Sequence, residues 1–240
     1  MKRGIWVLLG IAAVWAVALA LWHSRCEPYT PSPPSTEVYA RRARHGTPET
    51  RPPAIAELIR RKETESLCRI LSEDKDPFYR SRAAQGLGKI GKAEVLPALG
   101  KALEDKSGLV HSSACWAIGH LGDPRGVELL RPQVLRPSHD ARVQDATWAL
   151  REIRTPEAEE LLIARLGRSM SKVTLLAVIA LGENGSGRAV EALTALRATL
   201  PETPNVGREL PDTVGELRHQ LAIAVDRAVS KIKKRLGKKG

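Results

Sequence analysis

The segment Tyr79-Arg80-Ser81-Arg82-Ala83-Ala84-Gln85-Gly86-Leu87-Gly88-Lys89-Ile90-Gly91 is followed 31 residues later by Val110-His111-Ser112-Ser113-Ala114-Cys115-Trp116-Ala117-Ile118-Gly119-His120-Leu121-Gly122. Small residues, an aliphatic residue and two glycines keep step between them. A third copy, Ala146-Thr147-Trp148-Ala149-Leu150-Arg151-Glu152-Ile153, follows at an offset of 32, and a fourth, Ala177-Val178-Ile179-Ala180-Leu181-Gly182-Glu183-Asn184-Gly185, at 31. A fixed period of this size marks a repeat architecture, in which no unit buries its apolar face alone and stacking is obligatory.

Each copy is followed by a second half in the same register, as in Pro124-Arg125-Gly126-Val127-Glu128-Leu129-Leu130 and Pro156-Glu157-Ala158-Glu159-Glu160-Leu161-Leu162. Both halves have helical spacing. Ala83, Leu87 and Ile90 recur at i, i+4, i+7, and Leu96, Leu99 and Leu103 at i, i+3, i+7. Gly91 and Gly122 fall between the halves, where a helix end turns through positive φ. Pro124 and Pro156 suit a first helical turn, with Asp123 and Thr155 as N-caps. The Ala83, Ala114, Ala146, Ala177 row and the Gly86, Ala117, Ala149, Ala180 row are small so that neighbouring helices can approach closely.

This pattern resembles the HEAT-like repeat associated with phycobilisome (PBS) lyases, over residues 77–198. Residues 54–71 resemble an incomplete first unit, and residues 213–235 a last helix with Leu217, Leu221, Val225, Ala228 and Ile232 on one side. The third copy of the motif departs from the pattern, with Arg151 and Arg154 in the places of the two glycines. The resemblance implies an all-α fold, a right-handed α-solenoid of about five HEAT-like helical pairs. It also implies a non-enzymatic scaffold or adaptor for another protein. The family includes bilin lyases, so an enzyme or enzyme subunit of that kind is the alternative.

Around this body the sequence divides into 1–23, 24–53, 54–235 and 236–240. Gly4 to Trp22 is a run of 19 residues without a charge, preceded by Lys2 and Arg3. As a helix it would span about 28 Å, close to a bilayer's hydrocarbon thickness, with Trp6 and Trp22 at the interfaces. The expectation is a single-pass membrane anchor with its N-terminus in the cytoplasm and the repeats outside, periplasmic or extracellular. Cleavage as a signal peptide near Ala20, at Ala18-Leu19-Ala20, is the alternative. Residues 24–53 are rich in proline, which lacks a donor and fixes φ, so they read as a flexible, semi-extended tether. Pro201, Pro204 and Pro211 mark an inserted loop before the last helix.

The net charge of +11 invites thoughts of nucleic acid. Its distribution removes most of that invitation: residues 1–62 carry +6, residues 63–226 carry −2, and residues 227–240 carry +7. The tail residues Lys231, Lys233, Lys234, Arg235, Lys238 and Lys239 are candidates for an anionic membrane surface. No aromatic residue interleaves them, so single-strand stacking has no support. Aromatic residues make up only 4% of the chain, which disfavours a β-sandwich.

Catalytic patterns are scarce. There is no Cys-x-x-Cys, no Gly-x-Ser-x-Gly and no Walker loop, and no histidine is followed by glutamate. His111 and His120 are nine apart and do not share a helix face. No catalytic residue, metal or cofactor is expected. Candidate partner-binding residues, placed by register on the second helices, are Arg125, Glu128, Arg131, Glu160, Arg165, Arg188, Glu191 and Arg197. Trp116 and Trp148, at one register position of adjacent first helices, are candidate aromatic anchors.

Overall fold

The computed structural model describes residues 34–138, 140–168, 171–200 and 213–237. The chain divides into two compact units, Met1–Ser35 and Thr36–Gly240, and all that follows concerns the second. Among the described residues it is entirely helical: α1 (Thr36–His45), α2 (Arg51–Arg60), α3 (Thr64–Glu73), α4 (Pro77–Ile90), a 3-10 turn (Ala93–Val95) leading into α5 (Leu96–Ala102), α6 (Gly108–Leu121), α7 (Arg125–Val134), α8 (Ala141–Glu152), α9 (Pro156–Leu166), α10 (Lys172–Asn184), α11 (Gly187–Ala198) and α12 (Thr213–Leu236). From α2 onward successive helices pair into units. The first helices α2, α4, α6, α8 and α10 pack each on the next, and α12 takes the next place in that row. The second helices α3, α5, α7, α9 and α11 form a parallel, more loosely touching row. This is a solenoid-like stack.

The small-residue rows do the work expected of them. Ala83, Ala114, Ala146, Ala177, Ala117, Ala149 and Ala180 are all fully buried. A Cβ placed on Gly88 would stand 2.8 Å from the Ala117 Cα, and one on Gly119 would stand 3.0 Å from the Ala149 Cα. On Gly182 it would meet the Ala228 Cβ at 2.9 Å. Backbones of adjacent first helices therefore touch. Leu87, Ile118 and Leu150 of the first helices and Leu99, Leu130 and Leu161 of the second helices are buried in one continuous core.

Local signals fix the helix ends. Gly91 (φ 76°) and Gly122 (φ 63°) terminate α4 and α6 in the left-handed region. Thr155 caps α9 by accepting from the Ala158 amide, and Asp123 accepts from the Arg125 amide at 2.9 Å. Asp76, Asp140, Ser171 and Ser186 cap four further helices in the same way. In the divergent unit, α8 ends without a left-handed residue. There the Arg151 guanidinium reaches across to Glu183 of the next unit, at 2.6 Å from Nε.

The tether expected through residue 53 is corrected over its described part. Residues 36–45 and 51–60 are helices. Pro52 and Pro53 lie in the first turn of α2, where an absent N–H costs nothing and the fixed φ suits the helix. Ala43 is buried, the Arg51 Nε donates to the Ala43 carbonyl at 2.8 Å, and Arg51 pairs with Asp74 while covering the Tyr79 ring at 3.5 Å. A second cation–ring contact, Arg61 on Tyr39 at 4.7 Å, holds α1 down. The first unit is complete rather than partial, because α2 supplies Ile55 and Leu58 to the core.

The expected membrane helix over Gly4–Trp22, and residues 201–212 of the inserted loop expected over 198–212, lie outside the described residues. Among the described residues, no helix is long and apolar enough to cross a membrane.

Candidate interaction surface

The second helices carry most of the charged residues read as partner contacts, and the structure pairs these charges with one another. Arg125 bonds Asp123 at 2.8 Å, Arg131 bonds Glu128 at 2.7 Å, and Arg188 bonds Glu160 at 2.8 Å. Arg197 reaches Asp226 of α12 at 3.0 Å. The Arg125 guanidinium, aided by the Arg125 amide, holds the Asp123 carboxyl down to about 2. Arg131 likewise holds Glu128 below the usual carboxylate range. Glu191 is exposed on α11.

Arg165 is a correction, because it is not a surface residue. Its side chain is fully buried, with Nη1 donating to the Arg136 carbonyl at 3.1 Å and Nη2 to the Ser138 carbonyl at 3.2 Å. Burial lowers its pKa. The turn after α7 folds back over α9 and uses the guanidinium as an internal brace.

The outward side of the first helices has a different character. Trp116 and Trp148 are half-buried at the same register position of α6 and α8. Ile179, 31 residues after Trp148, continues the row on α10 and is 43% exposed. Phe78 and Leu109, themselves 31 residues apart, begin α4 and α6 and are 47% and 50% exposed. Ile223 extends the apolar surface onto α12. Trp116 stacks on His120 with centroids 4.8 Å apart and planes at 11°, and Arg82 lies 5.9 Å over Phe78. The sequence reading found the two tryptophans but missed Phe78, Leu109, Ile179 and Ile223. The signal of the first three was present in the same 31-residue arithmetic, whereas Ile223 lies beyond the repeats that share it.

Other polar groups are structural. His111 is buried, with Nδ1 2.8 Å from the Leu103 carbonyl and Nε2 3.2 Å from that of Arg142, so it ties the second, third and fourth units together. Burial pushes the Cys68 and Cys115 thiols up, away from the reactive thiolate. Among the described residues, no three His, Cys, Asp or Glu side chains form a group that could hold a metal ion. In the tail, Lys231, Lys233 and Lys234 are exposed. Arg235 instead donates to the Glu183 and Gly185 carbonyls, closing the end of α10. Lys238 and Lys239 lie outside the described residues.

The HEAT-repeat family model matches residues 64–151, and the PBS lyase HEAT-like repeat model matches residues 144–168. Residues 64–168 are thus similar to HEAT-type repeats. No curated relative matches the sequence. Among solved structures, the repeat body is similar to the crystal structure of an engineered protein, at 20% identity and a TM-score of 0.51, covering 83% of this chain and 96% of that one. That likeness speaks to the fold alone. A designed armadillo repeat protein in complex with the peptide (KR)4 aligns at 18% identity and a TM-score of 0.46, over 81% of this chain and 91% of that one. Human deoxyhypusine hydroxylase in complex with glycerol aligns at 15% identity and 0.34, over 81% and 80%.

Proposed function

We propose that this chain is a non-enzymatic adaptor whose HEAT-type repeats hold a protein partner against the outward side of the first helices. One observation carries the choice of face. The half-exposed row Trp116, Trp148 and Ile179 crosses consecutive first helices, whereas the exposed charges of the second helices are largely spent on one another. Aromatic and aliphatic anchors give up little on desolvation, and tryptophan is enriched where interface energy concentrates. Locally paired surface charges contribute little to binding.

The test is site-specific photo-crosslinking in the native cell from Leu109, Trp148 and Glu191. Recovery of the same protein from Leu109 and Trp148, but not from Glu191, supports this face. Recovery from Glu191 alone moves the surface to the second helices, and recovery from none of them removes the adaptor reading.

The uncharged run Gly4–Trp22 supports tethering to a membrane, with the N-terminus cytoplasmic and the repeats on the far side. Release after cleavage near Ala20 is the competing outcome, and the mass of the mature chain separates the two. A third role, docking of the basic tail on anionic lipid, predicts that removing residues 231–240 weakens co-sedimentation with phosphatidylserine vesicles. The match of residues 144–168 to the PBS lyase repeat keeps a lyase-like reading as the second choice. A shift in bilin absorbance on mixing with the chain would favour it.

A further inference from the structure

Between α10 and α12 lies an open groove of about 460 Å³. Its floor is apolar, made by Leu175, Ile179, Ile223 and Ala224. One rim carries Arg227 and Lys231, a helical turn apart on α12. Neither has an ion-pair partner among the described residues, since Asp226 is taken by Arg197 and Glu183 by Arg151. We infer that this groove seats an acidic amphipathic helix of another protein, with aliphatic side chains on the floor and carboxylates against Arg227 and Lys231. The inference rests on the adaptor reading and gives it a partner chemistry.

Three physical points select that occupant. First, the groove walls are helices whose backbone groups are already bonded within the helix, so an entering segment finds no backbone partners. It must satisfy its own backbone, and a helix does so. Second, Gln220 to Lys231 spans about 16 Å of helix axis, room for roughly three turns of a guest. Third, uncompensated cations beside an apolar floor repel a basic guest and attract an acidic one, which sets specificity and orientation.

The experiment uses the purified full chain and two fluorescein-labelled helix-forming peptides with the same leucine stripe, one bearing glutamate and the other lysine on its flanks. Fluorescence anisotropy should show the glutamate peptide binding at least about tenfold more tightly. The double variant Arg227→Glu/Lys231→Glu should reverse that preference. Ile179→Asp/Ile223→Asp, exposed positions whose thermal unfolding is checked alongside, should abolish binding of both. Equal binding of the two peptides, or an unchanged preference in the double charge variant, overturns the inference. So does a neutralised loop (Glu202→Gln/Glu209→Gln/Asp212→Asn) that binds the glutamate peptide about tenfold more tightly than the parent, because the chain's own acidic segment would then be the occupant. Crosslinking from Leu109 and Trp148 is read independently, so the adaptor reading can stand where this one fails.

Discussion

Gly88 faces Ala117 so closely that a single added methyl group would come within 2.9 Å of the alanine Cβ. This contact between α4 and α6, repeated by Gly119 against Ala149, sets the spacing of the stack. Dispersion between backbones at such range is collectively large, and it depends on no side chain intervening.

Gly88→Ala therefore pits a gain in helix propensity against overpacking, and overpacking wins. We expect a net loss of about 1–2 kcal/mol in urea unfolding. Gly108→Ala is the control, because its added Cβ meets nothing within 4 Å and its φ is not positive. That variant should be as stable as the parent or slightly more so.

Gly91→Ala tests conformation rather than space. Nothing lies within 4 Å of its added Cβ, yet its φ is 76°. Loss of about 1–2 kcal/mol is expected from left-handed strain alone. Gly91→Asn should recover part of it, since asparagine tolerates that region, and thermal unfolding of the three chains checks the order.

Arg165→Ala should cost about 2–4 kcal/mol, because it strands the Arg136 and Ser138 carbonyls and leaves a cavity. Arg165→Lys should rescue little. One compact ammonium does not span two carbonyls as a planar guanidinium does. Chemical denaturation distinguishes this from a partner-binding role, which would leave stability unchanged.

The Arg80 guanidinium bonds Asp105 through two contacts of 2.8 Å and holds its carboxyl below the usual range. A depressed folded-state pKa gives stability that is fully present above the unfolded value of about 3.9 and lost as pH falls through the folded one. Asp105→Asn should thus be less stable than the parent at pH 7, with the difference shrinking below about pH 4. Unfolding measured from pH 7 to pH 2 checks the sign.

The period, helix pairing and several caps were legible because they rest on local chemistry. A glycine at a helix end, a proline in a first turn and a threonine before it act through bonds within a few residues. Asp76, Asp140, Ser171 and Ser186 obey the same rule but were not read as caps. The segment 36–53 was misread for a definable reason. Its prolines argue against helix only in a helix interior, and Ala43, flanked by Arg42 and Arg44 in the sequence, is buried only in the folded chain.

Which side of the stack is exposed was not legible. Both helices of every unit carry apolar stripes, and a period says where side chains repeat without saying which neighbour covers them. Arg165 shows a different limit: its register partners Ala102, Gln133 and Leu196 are themselves buried, yet an arginine at that position reads as a surface charge until the turn at 136–138 supplies carbonyls for its guanidinium.

The sequence by itself determined the repeat, because stacking of closely spaced helices demands small residues at fixed intervals, and that demand is written into every unit. Tertiary structure alone decided which side chains remain for a partner. The charges of the second helices neutralise one another across turns and units, and Arg235 is drawn into the end of α10. Trp148, Ile179, Ile223, Arg227 and Lys231 are left at the surface where the row of first helices meets α12. Exposure is a property of assembled neighbours, and no single segment carries it.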